Sequence, residues 1–184
     1  MTEQPESGEL LVGAYLKLVV DCELITYNQR SKEQGEQMEI DVIGINTTPG
    51  GERVIYTCEV VTHLNGLHYS GSPKTDRWEE FGASDFQHTL ERIERKFNSD
   101  REYVRELFDS ADSYVFQFWS PVVPVGHRTN GLSKLAEEFN EELELIINDD
   151  YTQRINELRE VAAETEKNHG ELGFRLLQVL EHLR

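Results

Sequence analysis

Two strand-like runs, 38–46 and 53–64, flank the pentapeptide Thr47-Thr48-Pro49-Gly50-Gly51, and this arrangement restricts the fold of the chain more than any other feature. Both runs are rich in Ile and Val, and the Pro-Gly-Gly between them supplies the backbone angles of a tight reversal, so they read as one β-hairpin. With the turn centred on Pro49 and Gly50, antiparallel pairing opposes positions whose numbers sum to about 99 or 100. Asp41 and Glu59 form such a pair. Side chains alternate along a strand, which puts Glu39, Asp41 and Ile43 on one face of the first run and Glu59, Val61 and His63 on one face of the second. Opposed carboxylates have Cβ atoms about 5 Å apart and destabilise a hairpin unless something compensates them. A divalent cation would do so. Magnesium takes oxygen ligands, keeps several waters and is commonly held by one or two protein carboxylates plus phosphate. The alternative is a hairpin whose acidic face points into solvent.

Around this hairpin the chain alternates between helical and strand periodicity. Residues 1–8 read as a disordered start, 10–20 as a mostly buried helix and 23–27 as a strand, followed by a polar loop over 28–36. The stretch 65–82, rich in Gly, Ser, Pro and Asp, is a long loop of the kind that usually has a functional reason. Ser84 or Asp85 can cap a helix to about Phe108, with Phe86, Leu90, Ile93, Phe97, Val104 and Leu107 as its buried stripe, and 113–119 is an aromatic, β-branched strand ended by Pro121 and Pro124. After Gly131 no strand pattern is expected to return. Leu132, Leu135, Ala136, Phe139, Leu143, Ile146 and Ile147 repeat at helical spacing, and 155–163 and 172–183 supply two further amphipathic helices broken at 168–170. The expected organisation is therefore an α/β core over 9–130 and an acidic helical extension over 131–184, packed on the core or on a partner. Part of the stripe Leu172, Leu176, Leu180 and Leu183 is expected to be shared with a second copy in a homodimer or with a basic partner protein.

Charge is the awkward fact for any phosphate-binding role. Against 18 Lys and Arg stand 35 Asp and Glu, a formal net charge of -17, which is the wrong sign for a protein that neutralises phosphates unaided. Bound divalent metal, a basic partner or a salt-loving host with generally acidic proteins would each reconcile the two. Arg92, Arg95, Lys96, Arg101 and Arg105 could track phosphates only if the acidic residues interleaved with them fall on a different face. No apolar run approaches the roughly 18 residues of a membrane span, the start lacks a basic-then-apolar leader, and Cys22 and Cys58 lack metal-ligand spacing, so the expected setting is cytoplasmic, with both thiols as small core residues. There is no Gly-rich phosphate loop, no nucleophile elbow and no paired-cysteine zinc motif.

Gly8-Glu9, Tyr15-Leu16, Asn28-Gln29-Arg30, Glu39-Ile40-Asp41 and Cys58-Glu59-Val60-Val61-Thr62 follow one another in an order and spacing that resembles the restriction-endonuclease-like, PD-(D/E)XK nucleases. The resemblance is to small prokaryotic members with an E-(I/V)-D strand and an E-V-K-T strand, whose core archaeal Holliday-junction resolvases share. It covers roughly residues 8–126. It implies a core of helix, three-stranded meander, helix and strand, a magnesium (or manganese) cofactor, and phosphodiester hydrolysis in nucleic acid, DNA in preference to RNA. By position it implies Glu9, Asp41, Glu59 and the backbone of Val60 as metal ligands, with Asp41 and Glu59 catalytic. The position of the water-orienting lysine, however, holds Val61, which can neither hydrogen-bond a hydroxide nor stabilise charge at phosphorus. His63, Lys74 and Gln87, with His88 beside it, are candidate substitutes. A nuclease-fold subunit that has lost catalysis and serves as a scaffold or regulatory partner is the competing expectation.

Overall fold

The computed structural model describes residues 4–30, 39–139 and 142–184. Along the chain run α1 (Ser7–Leu18), β1 (Leu24–Arg30), β2 (Glu39–Thr47), β3 (Arg53–Val60), a 3-10 turn (Glu79–Phe81), α2 (Ser84–Leu107), β4 (Ser113–Ser120), α3 (His127–Glu138), β5 (Glu142–Ile147), α4 (Asp149–Glu164) and α5 (Leu172–His182). The five strands form one mixed sheet in sequence order. β1, β2 and β3 are an antiparallel meander, while β4 and β5 add parallel to it. Parallel neighbours need a crossover connection, which the 24-residue α2 supplies between β3 and β4.

Both faces of the sheet are covered. On one side α1, α4 and α5 bury Val12, Leu16, Leu158 and Phe174 against Val42, Cys58, Trp119 and Ile146. On the other α2 and α3 bury Leu90, Phe97, Leu132 and Leu135 against Phe116 and Phe118. β4 is the central parallel strand and its residues from Val115 to Ser120 are all buried, as expected of a strand covered on both faces. Cys22 and Cys58 are buried free thiols. Among the described residues no helix is long and apolar enough to cross a membrane.

The order helix, three-stranded meander, helix, strand agrees with the expectation, but three of its details do not, the first being that β3 ends at Val60 instead of running to Leu64, so that Val61 and His63 lie in the loop beyond it. Ser7 and Gly8, expected in a disordered start, already belong to α1, because the Glu9 side chain accepts the Glu6 N–H at 2.9 Å and fastens the helix entrance. Asn28, Gln29 and Arg30, expected in a loop, complete β1; the rest of that expected loop, and the expected strand start at Met38, lie outside the described residues.

The larger correction is in the C-terminal third. Residues 131–147 are not one helix: α3 ends at Glu138, and Glu142–Ile147 is a strand. Leu143 and Leu145 alternate with Glu142 and Glu144, a period of two, and the coincidence that residues 132, 135, 139 and 143 also fit a helical stripe hid it. Pairing decides the matter, since β4 would otherwise expose a row of unpaired backbone groups and β5 satisfies them from Val115↔Glu142 to Ser120↔Ile147. α3 itself runs across the expected boundary at 130/131, and the sheet is completed by a strand beyond it.

Candidate active site

The hairpin register is the one that the turn predicts. Val42 pairs with Cys58 and Ile43 with Thr57, and Asp41 and Glu59 follow directly beyond the last of these rungs, where one side chain reaches both. Their side chains lie on the α2 side of the sheet, in the layer of Ile43, Ile55 and Val61. What compensates them is an ammonium. Lys96 of α2 reaches both: its Nζ is 3.2 Å from Asp41 Oδ1 and makes a shorter ion pair with Glu59 Oε2. The other Asp41 oxygen, Oδ2, accepts the Val60 N–H at 2.7 Å. One helical turn beyond Lys96, Asp100 is 1% exposed and both of its carboxyl oxygens are buried without a hydrogen-bond partner.

Glu9 arrives from the opposite side of the sheet. The start of α1 abuts the chain just past β3 so closely that a Cβ on Gly8 would fall 2.2 Å from Thr62 Cγ2. Glycine therefore permits the approach that carries Glu9 to this end of the sheet. Together Glu9, Asp41, Val60, Val61, His63, Tyr69 and Lys96 line a cleft of about 180 Å³ beside the C-terminal end of β3.

Burial dominates the electrostatics. It raises Glu9 to about 7, partly offset by the Glu6 N–H and reinforced by Asp41. It raises Asp41 against the opposing pull of Lys96 and the Val60 N–H. Glu59 is pushed well above the usual carboxylate range by burial and then by Asp41, and Asp100 to about 8, again chiefly by burial. Desolvation would lower Lys96, yet Glu59 and Asp41 outweigh it and hold the ammonium charged. One ammonium cannot balance three buried carboxylates, so Glu59 and Asp100 keep a proton between them at neutral pH. That proton also resolves an apparent shortage: as carboxylates, Glu59 Oε1 and both Asp100 oxygens have no donor, whereas a protonated carboxyl beside a carboxylate is one.

The positions singled out in the sequence separate cleanly. Glu9, Asp41, Glu59 and Val60 converge. His63 borders the same cleft, exposed, with its ring 6.1 Å from that of Tyr69. Lys74 does not reach the cleft; it lies in a separate groove across α2, where its N–H donates to Glu91. Gln87 is also elsewhere, since its amide donates to the Gly82 carbonyl at 2.7 Å and secures the entrance of α2. Lys96 and Asp100 were missed as site residues. A signal for Asp100 existed, because residues 93, 97, 100 and 104 are one helical stripe and an aspartate within it is a buried charge. Lys96, four residues earlier, is then its natural counter-charge.

Compared with known proteins, the chain matches no protein-family model, no curated protein and no solved structure.

Proposed function

We propose that this chain is a magnesium- or manganese-dependent nuclease with a restriction-endonuclease-like core, hydrolysing phosphodiester bonds of nucleic acid, DNA in preference to RNA. The observation that carries the reading is Lys96: an ammonium bound to the two strand carboxylates, in the cleft where the position just past β3 that a lysine would hold is Val61. Delivered from α2, it restores the charge that Val61 lacks. The order α1, meander, α2, β4 supports the same reading.

The donor set fits a hard divalent ion. Glu9 and Asp41 offer carboxylate oxygens to the cleft, Glu59 joins them through Lys96, and the Val60 carbonyl adds a neutral oxygen. Among the described residues no group of three or more His, Cys, Asp or Glu could hold a metal ion; the fit is therefore to magnesium held by two carboxylates and water. When bound, such an ion would make water acidic enough to supply hydroxide near neutral pH and would offset charge at the phosphate. Lys96 has three N–H donors, so it can keep Glu59 and still give a hydrogen bond to a water or phosphate oxygen in the cleft. The same ion pair favours a second reading, a catalytically silent scaffold, because Lys96 compensates Asp41 and Glu59 without any metal.

Melting temperature and cleavage separate the two. Millimolar magnesium or manganese should raise the melting temperature of the wild type and not of Asp41→Asn. Lys96→Met should abolish metal-dependent cleavage of labelled single-stranded, duplex and branched DNA. No metal response together with no cleavage would leave the scaffold.

A further inference from the structure

Resting on the nuclease reading, we propose that Arg92, Arg95 and Lys74 form a phosphate-binding track that leads the backbone of a nucleic-acid strand into the cleft. The track begins at the cleft wall. Tyr69 lines the cleft, and the Arg92 guanidinium lies over its ring with 4.2 Å from the guanidinium carbon to the centroid. The Tyr69 N–H donates to Thr89 Oγ1 at 3.0 Å, fixing this part of the loop to α2. Arg92 and Lys96 are four residues apart on one helix and so occupy the same face on successive turns. Next to them Lys74, Thr75, His88, Arg92 and Arg95 line a groove of about 260 Å³ between the loop and α2.

The acidic residues of this groove are spent on the loop. Glu91 accepts the N–H groups of Lys74 and Thr75, both at 2.8 Å, and the Thr75 hydroxyl at 2.7 Å. Glu94 accepts the Trp78 indole N–H and pairs with Arg77, which also pairs with Glu138. Among the described residues Lys74, Arg92 and Arg95 are left exposed with no carboxylate partner. The signs therefore separate by use: carboxylates face the loop that they hold, and three cations face solvent. In a chain with a net charge of -17, this is where a phosphate backbone meets least repulsion. The Arg92–Tyr69 contact, which joins this groove to the wall of the cleft, suits a strand whose backbone runs from one to the other better than an acidic peptide.

The test is fluorescence anisotropy with a labelled 20-nucleotide single strand and the matching duplex, in EDTA so that nothing is cut, at 50–200 mM salt. Wild type should bind, and R92E/R95E should weaken binding at least about tenfold at 50 mM salt. Its log–log salt slope should fall by about 0.9 on the duplex, and about 0.7 on the single strand, for each phosphate that the variant no longer neutralises. Lys74→Glu should weaken binding less, and Arg175→Glu, on the opposite side of the sheet, should leave it unchanged. Circular dichroism melting establishes that the variants fold. An unchanged Kd in a folded R92E/R95E, an equal loss in Arg175→Glu, displacement of the strand by polyglutamate at equal charge, or no wild-type binding at 50 mM salt each overturn the track. Cleavage with an unchanged Kd in R92E/R95E overturns the track alone; track-dependent binding without metal-dependent cleavage supports the track and overturns the nuclease reading.

Discussion

The two faces of the sheet bury very different chemistry. Beneath α1, α4 and α5 the polar groups within the apolar layer are paired: the Cys58 thiol and the Trp119 indole N–H donate to Gln117 Oε1, the Gln117 amide donates to Glu144, and the Tyr15 hydroxyl donates to Glu157 and accepts from Arg154. Every polar atom named there has a partner. Beneath α2 the layer holds Asp41, Glu59, Lys96 and Asp100, with oxygens left over. A buried ion group is weak as a source of stability, and its removal in part is far worse than its presence. The first face stabilises the fold; the second spends that stability on a charged cluster that faces a cleft.

The sharpest way to break this comparison is to remove the cation. Lys96→Met leaves Asp41 and Glu59 buried without their counter-charge and should cost about 4 kcal/mol in urea unfolding at pH 7. Adding Glu59→Gln should recover part of the loss, because it removes one of the stranded charges. On the other face Leu16→Ala, at a fully buried site, should cost about 3 kcal/mol through lost burial and an unfilled cavity. That loss should be the same in the wild-type and Glu59→Gln backgrounds. If Leu16→Ala depends on Glu59 as strongly as Lys96→Met does, the faces are not energetically separate.

A smaller effect follows from the shared proton. Asp100 is raised from 3.8 to about 8, first by burial. Between those values the folded state holds a proton that the unfolded chain has released, so stability falls as pH rises through that window and is fully present below about 4. An amide at this position mimics the protonated carboxyl. Asp100→Asn should therefore match the wild type below about pH 4 and exceed it increasingly as pH rises to 8.5. A pH profile of unfolding free energy that is parallel in the two proteins would place the shared proton elsewhere.

What the sequence made legible divides along the same lines. The meander, α2 and β4 could be read because each is bounded by strong punctuation, such as Thr47-Thr48-Pro49-Gly50-Gly51 and Pro121, and because local spacing sets the hairpin register. Hence the proximity of Asp41 and Glu59 is readable from the turn alone. β5 was illegible for the opposite reason: ELELII is six residues long and follows a helix in accidental phase with it, and only the open edge of β4 determines what it becomes. Lys96 escaped because its role depends on where α2 crosses the sheet, which no spacing within α2 encodes. Val61 misled usefully. It is 5% exposed and packs with Phe97 and Phe118, so an apolar residue there serves the core while the charge comes from α2.

The smallest effect expected is at the far edge of the apolar face. Phe174 and Leu177 of α5 are buried against α1, and Gly173 packs so tightly that a Cβ there would lie 2.7 Å from the Leu10 carbonyl oxygen. The other side of the helix is bare: Leu172 is 72% exposed, Leu176 60%, Leu180 49% and Leu183 75%. A groove between α4 and α5, lined by Ala162, Val179 and Leu183 among others, continues that surface. Shortening the chain before α5 would remove buried and exposed residues together and so could not tell them apart. Leu176→Glu with Leu180→Glu touches only the exposed side, and unfolding free energy should change by less than about 0.5 kcal/mol, as for surface positions in general. A loss of several kcal/mol that grows with protein concentration would show instead that this side is covered by a second copy, because only an interface makes stability depend on concentration. Light scattering on the same samples gives the mass that decides between one chain and two.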